Sequence, residues 1–305
     1  MQCRICSYAE CTKTYQIREM MLGLRKPFTY FECPQCHCLQ ICEIPSDMSP
    51  YYPATYYSFS QNQFNLPADV KKGLVEAGLK FYLSRLGLKR EARILDVGCG
   101  SGFYVYVLKE LGFPNVLGVD MYIKEDTEYE NGAKVIKGTL EGVEQAWDLI
   151  LFNHSFEHLA APIETLQKVS QMLSQGGVCF IRMPVFLSYA WEQYNVNWVQ
   201  LDAPRHYFIY AVETVRALAE QSDLTLTDIV FDSSDFQFWA SEQYLRNISL
   251  YSPRSYAVNS ANSIFSQVQI EGFKEKARLL NREQRGDQAA FYLTKRPGVG
   301  DLGSA

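Results

Sequence analysis

The chain has 305 residues, 47% of them apolar and 21% charged, with a net charge of −5 and an isoelectric point near 5.5. That is a globular composition, and the length gives room for one α/β domain of ordinary size plus an appendage. An acidic balance argues against a large nucleic-acid footprint, and no apolar run approaches the roughly 20 residues that cross a bilayer. The expected partner is a small molecule, with neither nucleic acid nor membrane.

The N-terminus, MQCRICSYAE, has no basic stretch followed by an apolar one, so a cytoplasmic and reducing location is expected for the nine cysteines. Seven of them fall within residues 1–44, where Cys3 and Cys6 form one C-x2-C pair and Cys33 and Cys36 another, 26 residues further on. Two such knuckles give the tetrahedral S4 shell that Zn2+ prefers, so residues 1–44 read as a zinc ribbon. A module this small lacks a sufficient core, and zinc would supply on the order of 10 kcal/mol of its folding free energy. A redox pair is disfavoured because no βαβ pattern surrounds the cysteines. Cys11, Cys38 and Cys42 leave an iron–sulfur cluster open, and His37 follows the second knuckle where glycine is common.

Residues 45–67 carry Pro45, Pro50, Pro53 and Pro67 among Tyr51, Tyr52, Tyr56, Tyr57 and Phe59. Flexible linkers are rich in Gly and Ser, so this stretch reads as a strap whose rings are buried. It either ties the ribbon to the main domain or turns some tyrosines, Tyr56 among them, towards a substrate. A helix is expected from Ala68 to Leu88, with Val70, Leu74, Ala77 and Phe81 on one stripe.

Residues 68–297 alternate as a doubly wound α/β sheet does. Strands are expected at Arg93–Asp96, Val116–Val119, Lys134–Ile136, Asp148–Phe152, Val178–Arg182, Thr225–Phe231 and Ala290–Thr294. The 58 residues 232–289 between the last two strands exceed an ordinary connection and read as a helical insertion, either a lid or a homodimer surface. Residues 298–305 read as a tail.

The first of these strands runs into ILDVGCGSGFY, Ile94 to Tyr104. Three glycines, Gly98, Gly100 and Gly102, alternate with small residues before an apolar helical run, which describes a strand, a tight turn and a helix. The free N–H groups of such a helix favour an anionic group, so the loop should hold a ligand's polar backbone. The spacing is G-x-G-x-G, whereas the dinucleotide fingerprint is G-x-G-x-x-G. Asp96, two residues before the first glycine, repels a pyrophosphate but suits a ligand carrying an ammonium and a sulfonium. S-adenosylmethionine (SAM) is such a ligand. Asp120, 22 positions after Gly98 at the end of the next strand, can accept bonds from both ribose hydroxyls. NAD or a lapsed site are the competing readings.

In open α/β sheets, ligands sit beyond the carboxyl ends of the strands. Met121 after the second strand, Thr139 and Leu140 after the third, and Asn153 at the end of the fourth therefore join the cofactor set. A methyl acceptor usually has to lose a proton, and histidine, with a pKa of about 6.5, suits that task. His154 ends the fourth strand. His206 lies in the aromatic stretch Met183–Tyr210, where Trp198, Asp202 and Arg205 read as an acceptor wall. The plainer alternative is that Asp202 and Arg205 tie down a loop and His206 bonds backbone. His158, in a helix start, reads as structural.

From Ile94 to Ala203 and on to Lys295, the D-x-G-x-G-x-G series, Asp120, F-N-H-S-F-E-H-L and a later G-G-V strand resemble class I SAM-dependent methyltransferases. The ribbon, the tyrosine strap and the D-A-P-R-H loop are similar to bacterial methyltransferases of sugar-nucleotide and surface-polysaccharide biosynthesis, some with an N-terminal zinc module. The resemblance implies a seven-stranded Rossmann-like methyltransferase sheet, SAM and Zn2+ as cofactors, and a sugar-containing acceptor. It also implies a zinc module that helps enclose the acceptor and a Tyr/His group that acts as base. Larger sugar carbon-methyltransferases carry a further C-terminal domain, whereas this chain ends soon after the seventh strand, so oxygen and nitrogen methylation stand level with carbon. A binding module that holds SAM structurally, its ribbon recruiting protein or RNA, is the alternative of another class.

Overall fold

The computed structural model describes residues 1–53, 56–59 and 80–296. The expected tail 298–305, strap residues 54–55 and 60–67, and the expected helix as far as residue 79 lie outside the described residues. The remainder of that helix is α1 (Lys80–Ser84).

The central sheet follows the order β11-β12-β9-β8-β4-β5-β7-β6. Its strands are β4 (Arg93–Val97), β5 (Asn115–Asp120), β6 (Thr127–Glu128), β7 (Lys134–Lys137), β8 (Trp147–Asn153), β9 (Leu173–Pro184), β11 (Leu224–Phe231) and β12 (Gln288–Lys295). From β7 to β9 the pairs are parallel, while β12 lies antiparallel between β9 and β11. All seven expected strands are present. The eighth, β6, is two residues long and pairs antiparallel with β7, too short to leave an alternation in the sequence.

The buried strands alternate their contacts. Ile94, Leu149 and Leu151 point into one core with Val105 and Leu108 of α2 (Phe103–Glu110). Leu95, Ile150 and Phe152 point into the other with Leu166 and Val169 of α3 (Pro162–Met172). Hydrophobic cover on both faces is what a parallel sheet requires. The chain turns from β4 to β5 on one side and reaches β8 on the other, which opens a crevice at their carboxyl ends.

A second sheet has the antiparallel order β1-β2-β3-β10. Strands β1 (Thr14–Arg18), β2 (Pro27–Glu32) and β3 (Leu39–Ile41) belong to the cysteine-rich segment, whereas β10 (Phe208–Ile209) comes from the main domain. One continuous apolar core runs from Cys3, Ile17 and Tyr30 through Phe208 to Phe152. The N-terminal segment is thus built into the main domain, sharing both a sheet and a core with it.

After α4 (Tyr189–Tyr194) and α5 (Val212–Gln221), the insertion holds α6 (Phe236–Leu245) and α7 (Gln267–Arg282). In α6, Phe238, Ala240, Ser241 and Gln243 are buried, and the Ser241 hydroxyl accepts a bond from the Val199 N–H at 3.0 Å. Beyond it, the Leu250 and Tyr251 N–H groups donate to the Met20 and Met21 carbonyls. This face is packed body rather than a lid over the crevice, a distinction that its aromatic-rich sequence leaves open.

Candidate active site

A cavity of about 410 Å³ lies at the carboxyl ends of β4, β5 and β8. Its floor is the glycine turn, where Gly98, Gly100 and Gly102 have φ of +72°, +56° and +83°. A Cβ on Gly100 would lie 2.4 Å from the Ser58 carbonyl oxygen, and one on Gly102 2.3 Å from a Val135 methyl, so both positions require glycine for space as well as for conformation. The loop's donors are used within the protein. Gly98 N–H donates to the Val119 carbonyl at 2.8 Å, Gly100 N–H to Asp120 Oδ2 at 2.9 Å, and Ser101 N–H to the Ser58 carbonyl at 2.8 Å. The N–H groups of the turn itself are thus satisfied within the protein. The absence of side chains on its glycines leaves the cavity open there, and the polar groups facing it include two carboxylates.

Those carboxylates are Asp96 and Asp120, 3% and 8% exposed, and both line the cavity. Burial, and then the charge of Asp120, pushes Asp96 up to about 7. Burial also raises Asp120, against the N–H bonds from Tyr122 and Gly100. Two buried carboxylates without a cation between them disfavour each other's charge, and a cationic ligand relieves that. Met121, Thr139, Leu140, Asn153 and Gly98 also line the cavity, whereas Gly100 and Gly102 shape it from behind.

The strap reaches both the N-terminal segment and the cavity. Tyr51 packs edge-on to Phe28 of the N-terminal segment, while Tyr52, Tyr56 and Phe59 line the cavity. The Tyr52 ring stacks on Tyr122 at 4.7 Å, an aromatic wall that closes one side. Tyr122, two residues after the second carboxylate, carried no sequence signal of its own.

The histidines are arranged differently from the sequence reading. His154 lines the cavity, but its Nε2 accepts a bond from Arg182 Nη1 at 2.9 Å, and Arg182 is itself paired with Asp232. His206 is 5% exposed and is not among the residues that line the cavity, and its Nδ1 lies 2.8 Å from the Gln200 carbonyl. His158, expected to be structural, does line it. Burial and the neighbouring His206 push His158 down to about 4, so its imidazole is neutral at ordinary pH. Glu157 lies among the three rings, 1% exposed.

Trp198, Asp202 and Arg205 are corrected too: none lines the cavity. Trp198 is 1% exposed and donates from Nε1 to Asp287 at 2.9 Å. Arg205 is fully buried, bonded to both Asp202 oxygens at 2.6 and 2.8 Å, to Glu19 at 2.9 Å and to the Tyr51 carbonyl at 3.2 Å. The D-A-P-R-H loop is an ionic clasp between the N-terminal segment and the main domain. Its cost as buried charge is met by complete pairing. A buried knot and an acceptor wall have the same aromatic and charged composition, which is why sequence could not separate them.

Near the other end of that segment, the thiols of Cys3, Cys6, Cys33 and Cys36 all lie within 4.8 Å of one another. Cys3 and Cys36 are 3.6 Å apart and Cys6 and Cys33 3.5 Å, and all four are free thiols. Zinc–sulfur bonds of about 2.3 Å in a tetrahedron place sulfurs at about this separation. The Gln40 side-chain amide donates to Cys3 Sγ at 2.8 Å, as a partner behind a thiolate ligand does. Cys11, Cys38 and Cys42 stand outside the group.

A family model described as a methyltransferase domain matches residues 72–229. A tRNA U34 carboxymethyltransferase of Campylobacter fetus subsp. fetus (strain 82-40) is 24% identical over 224 residues, covering 63% of this chain and 77% of that protein. Among solved structures, a SAM-dependent methyltransferase from Archaeoglobus fulgidus aligns with a TM-score of 0.44 and 21% identity over 73% of this chain and 94% of its own. The cyclopropane synthase MmaA2 from Mycobacterium tuberculosis aligns with a TM-score of 0.46 and 16% identity over 72% and 83%. No helix among the described residues is long and apolar enough to cross a membrane.

Proposed function

The chain belongs to the class I SAM-dependent methyltransferases, and from that premise we propose that it methylates a small, sugar-containing acceptor held between the aromatic strap and the histidine cluster. The observation that carries this reading is the pair of buried carboxylates, Asp96 and Asp120, flanking a glycine turn whose N–H groups are already used. Such a site suits a cationic ligand and has little to offer a pyrophosphate. Asp96 would hold the ammonium and Asp120 the ribose hydroxyls, with Met121, Thr139, Leu140 and Asn153 against the nucleoside. When bound there, SAM supplies a methyl group already activated by its sulfonium.

The protein's part is then to orient the acceptor and deal with its proton. Tyr52, Tyr56 and Phe59 offer ring faces of the kind a sugar lies against, and the cluster of His154, His158 and His206 around Glu157 forms the polar end. His154 and His206 remain the proposed proton-handling residues, with His158 added because it faces the cavity. The four clustered thiols support structural zinc held by Cys3, Cys6, Cys33 and Cys36. In these domain terms, the zinc ribbon 1–44 is fastened through Glu19 and Arg205 to the methyltransferase domain.

An RNA acceptor is the second reading, favoured by the Campylobacter relative whose name includes tRNA, and the net charge of −5 runs against it. Incubation with radiolabelled SAM and two acceptor sets, a panel of nucleotide sugars and total RNA, separates the two. Label in a nucleotide sugar is the expected result. Label in RNA alone would replace the sugar reading.

A further inference from the structure

Glu157 is 1% exposed, and among the described residues neither carboxylate oxygen has a hydrogen-bond partner. That is a costly condition for a buried ion. It is ringed by nitrogen: His154 Nδ1 lies at 3.5 Å without bonding geometry, and His206 Nε2 at 3.8 Å. The His158 ring stands edge-on to that of His206, with centroids 4.7 Å apart.

The tautomers are fixed from outside this group. His206 Nδ1 lies 2.8 Å from the Gln200 carbonyl and His158 Nδ1 2.8 Å from the Arg205 carbonyl, with the Tyr52 hydroxyl at 3.0 Å. A carbonyl only accepts, so each Nδ1 carries a hydrogen, which leaves Nε2 as the nitrogen able to offer a lone pair. A lone pair and a carboxylate thus face each other across 3.8 Å, an arrangement that a positive charge between them would stabilise. Imidazoles anchored through Nδ1–H to backbone carbonyls, with Nε2 directed inward, are how metal-ligating histidines are held.

We propose that Glu157, His158 and His206 hold a divalent transition-metal cation at the wall of the cavity. One donor atom from each lies within 4.8 Å of the other two. The ligands come from two places: Glu157 and His158 from the turn after β8, and His206 from the loop that the Arg205 clasp fastens to the N-terminal segment. Two imidazoles and one carboxylate suit Mn2+, Fe2+ or Zn2+ better than Mg2+ or Ca2+. Three protein ligands are also the number that leaves positions open for an exchangeable group. Because His158 lines the cavity, an acceptor oxygen is the group those positions would take. The cation would then orient the acceptor with His158 and His206 as its ligands instead of as bases, which leaves proton handling to His154 beside Arg182. That role rests on the methyltransferase reading; binding of the cation does not.

The test uses the full chain with its cysteine site loaded with zinc, titrated with Mn2+ and followed by loss of the paramagnetic signal of the free aqueous ion, alongside total metal analysis. SAM binding serves as the control for fold and is scored separately. Wild type is expected to take up one Mn2+ per chain. Glu157→Gln and His206→Gln should each weaken that by about 100-fold or more, since even partners behind a ligand are worth roughly 10–100-fold, while SAM binding persists. A wild type that binds SAM but takes up no Mn2+ and carries only one zinc would overturn the proposal. So would Glu157→Gln binding Mn2+ as tightly as wild type. Should either variant lose its fold, the wild-type titration still decides.

Discussion

At the cofactor end of the cavity, burial and the nearby Asp120 push Asp96 up to about 7; at the histidine end, burial acts the same way on Glu157 but is outweighed. There His154 and, where their rings are protonated, His206 and His158 hold the Glu157 carboxyl down at about 2. Both side chains are almost inaccessible, so burial alone does not set the charge of a carboxylate in this cavity. The sign of its neighbours does. The cofactor end exchanges its proton near neutral pH and responds to an incoming cation, whereas the histidine end stays anionic. The supports differ as well. Asp96 and Asp120 hang on the central strands, while His206 hangs on the N-terminal segment, whose Tyr30 hydroxyl donates to the His206 carbonyl at 2.7 Å.

Removing the proposed zinc is the strongest way to pull these ends apart. The N-terminal segment should lose on the order of 10 kcal/mol of folding free energy. Because that segment shares a sheet with Phe208–Ile209, disorder should spread to residues 198–210 and leave β4 and β5 intact. Hydrogen exchange after chelation checks this: fast exchange is expected in 1–44 and 198–210, with SAM binding largely kept. Unchanged protection in 198–210 would mean that the histidine end does not depend on the ribbon.

Breaking the clasp is the next largest perturbation. Arg205→Met leaves Glu19 and Asp202 buried without their cation, and removing one partner of such a group costs about 3–5 kcal/mol. Chemical denaturation should register this loss. A change below about 1 kcal/mol would place the clasp among weakly contributing surface pairs, contrary to its burial.

These two ends were not equally legible in the sequence. The glycine turn and the two aspartates are local signals: each residue's role follows from its position relative to one strand end, and the sheet places them as expected. The histidine end is assembled from residues about 50 positions apart, Glu157 and His206, by a contact between two sheets that no local period records. Trp198, Asp202 and Arg205 had the composition of a binding wall and form an internal knot. Tyr122 and His158 had ordinary surroundings in the sequence and face the cavity. Even the cysteine module, whose four paired thiols the structure brings together, was read as a separate unit 1–44, because nothing in residues 1–44 says that a fourth strand comes from Phe208–Ile209.

A smaller effect is expected at the cofactor end from Asp120→Ala. Loss of its bonds to ribose should weaken SAM binding by about 1–3 kcal/mol, read by calorimetry, while a histidine-end metal titration stays unchanged. Full-strength SAM binding by this variant would remove Asp120 from the cofactor set.

The most direct measurement is SAM affinity against pH, from about 5 to about 7, for wild type and Asp96→Asn. Asp96 is raised above its ordinary value, so its protonated form dominates below about 7, and the ligand's ammonium, with a pKa of about 7.7–8.0, stays charged throughout. Binding therefore needs the carboxylate form, and wild-type affinity should fall as pH falls through about 7, by up to about tenfold per unit. The Asp96→Asn protein should bind more weakly and lose that part of the slope, keeping only what the raised Asp120 contributes at lower pH. A wild-type profile that is flat over this range, or a slope undiminished in Asp96→Asn, would contradict the assignment of Asp96 to the cationic end of SAM.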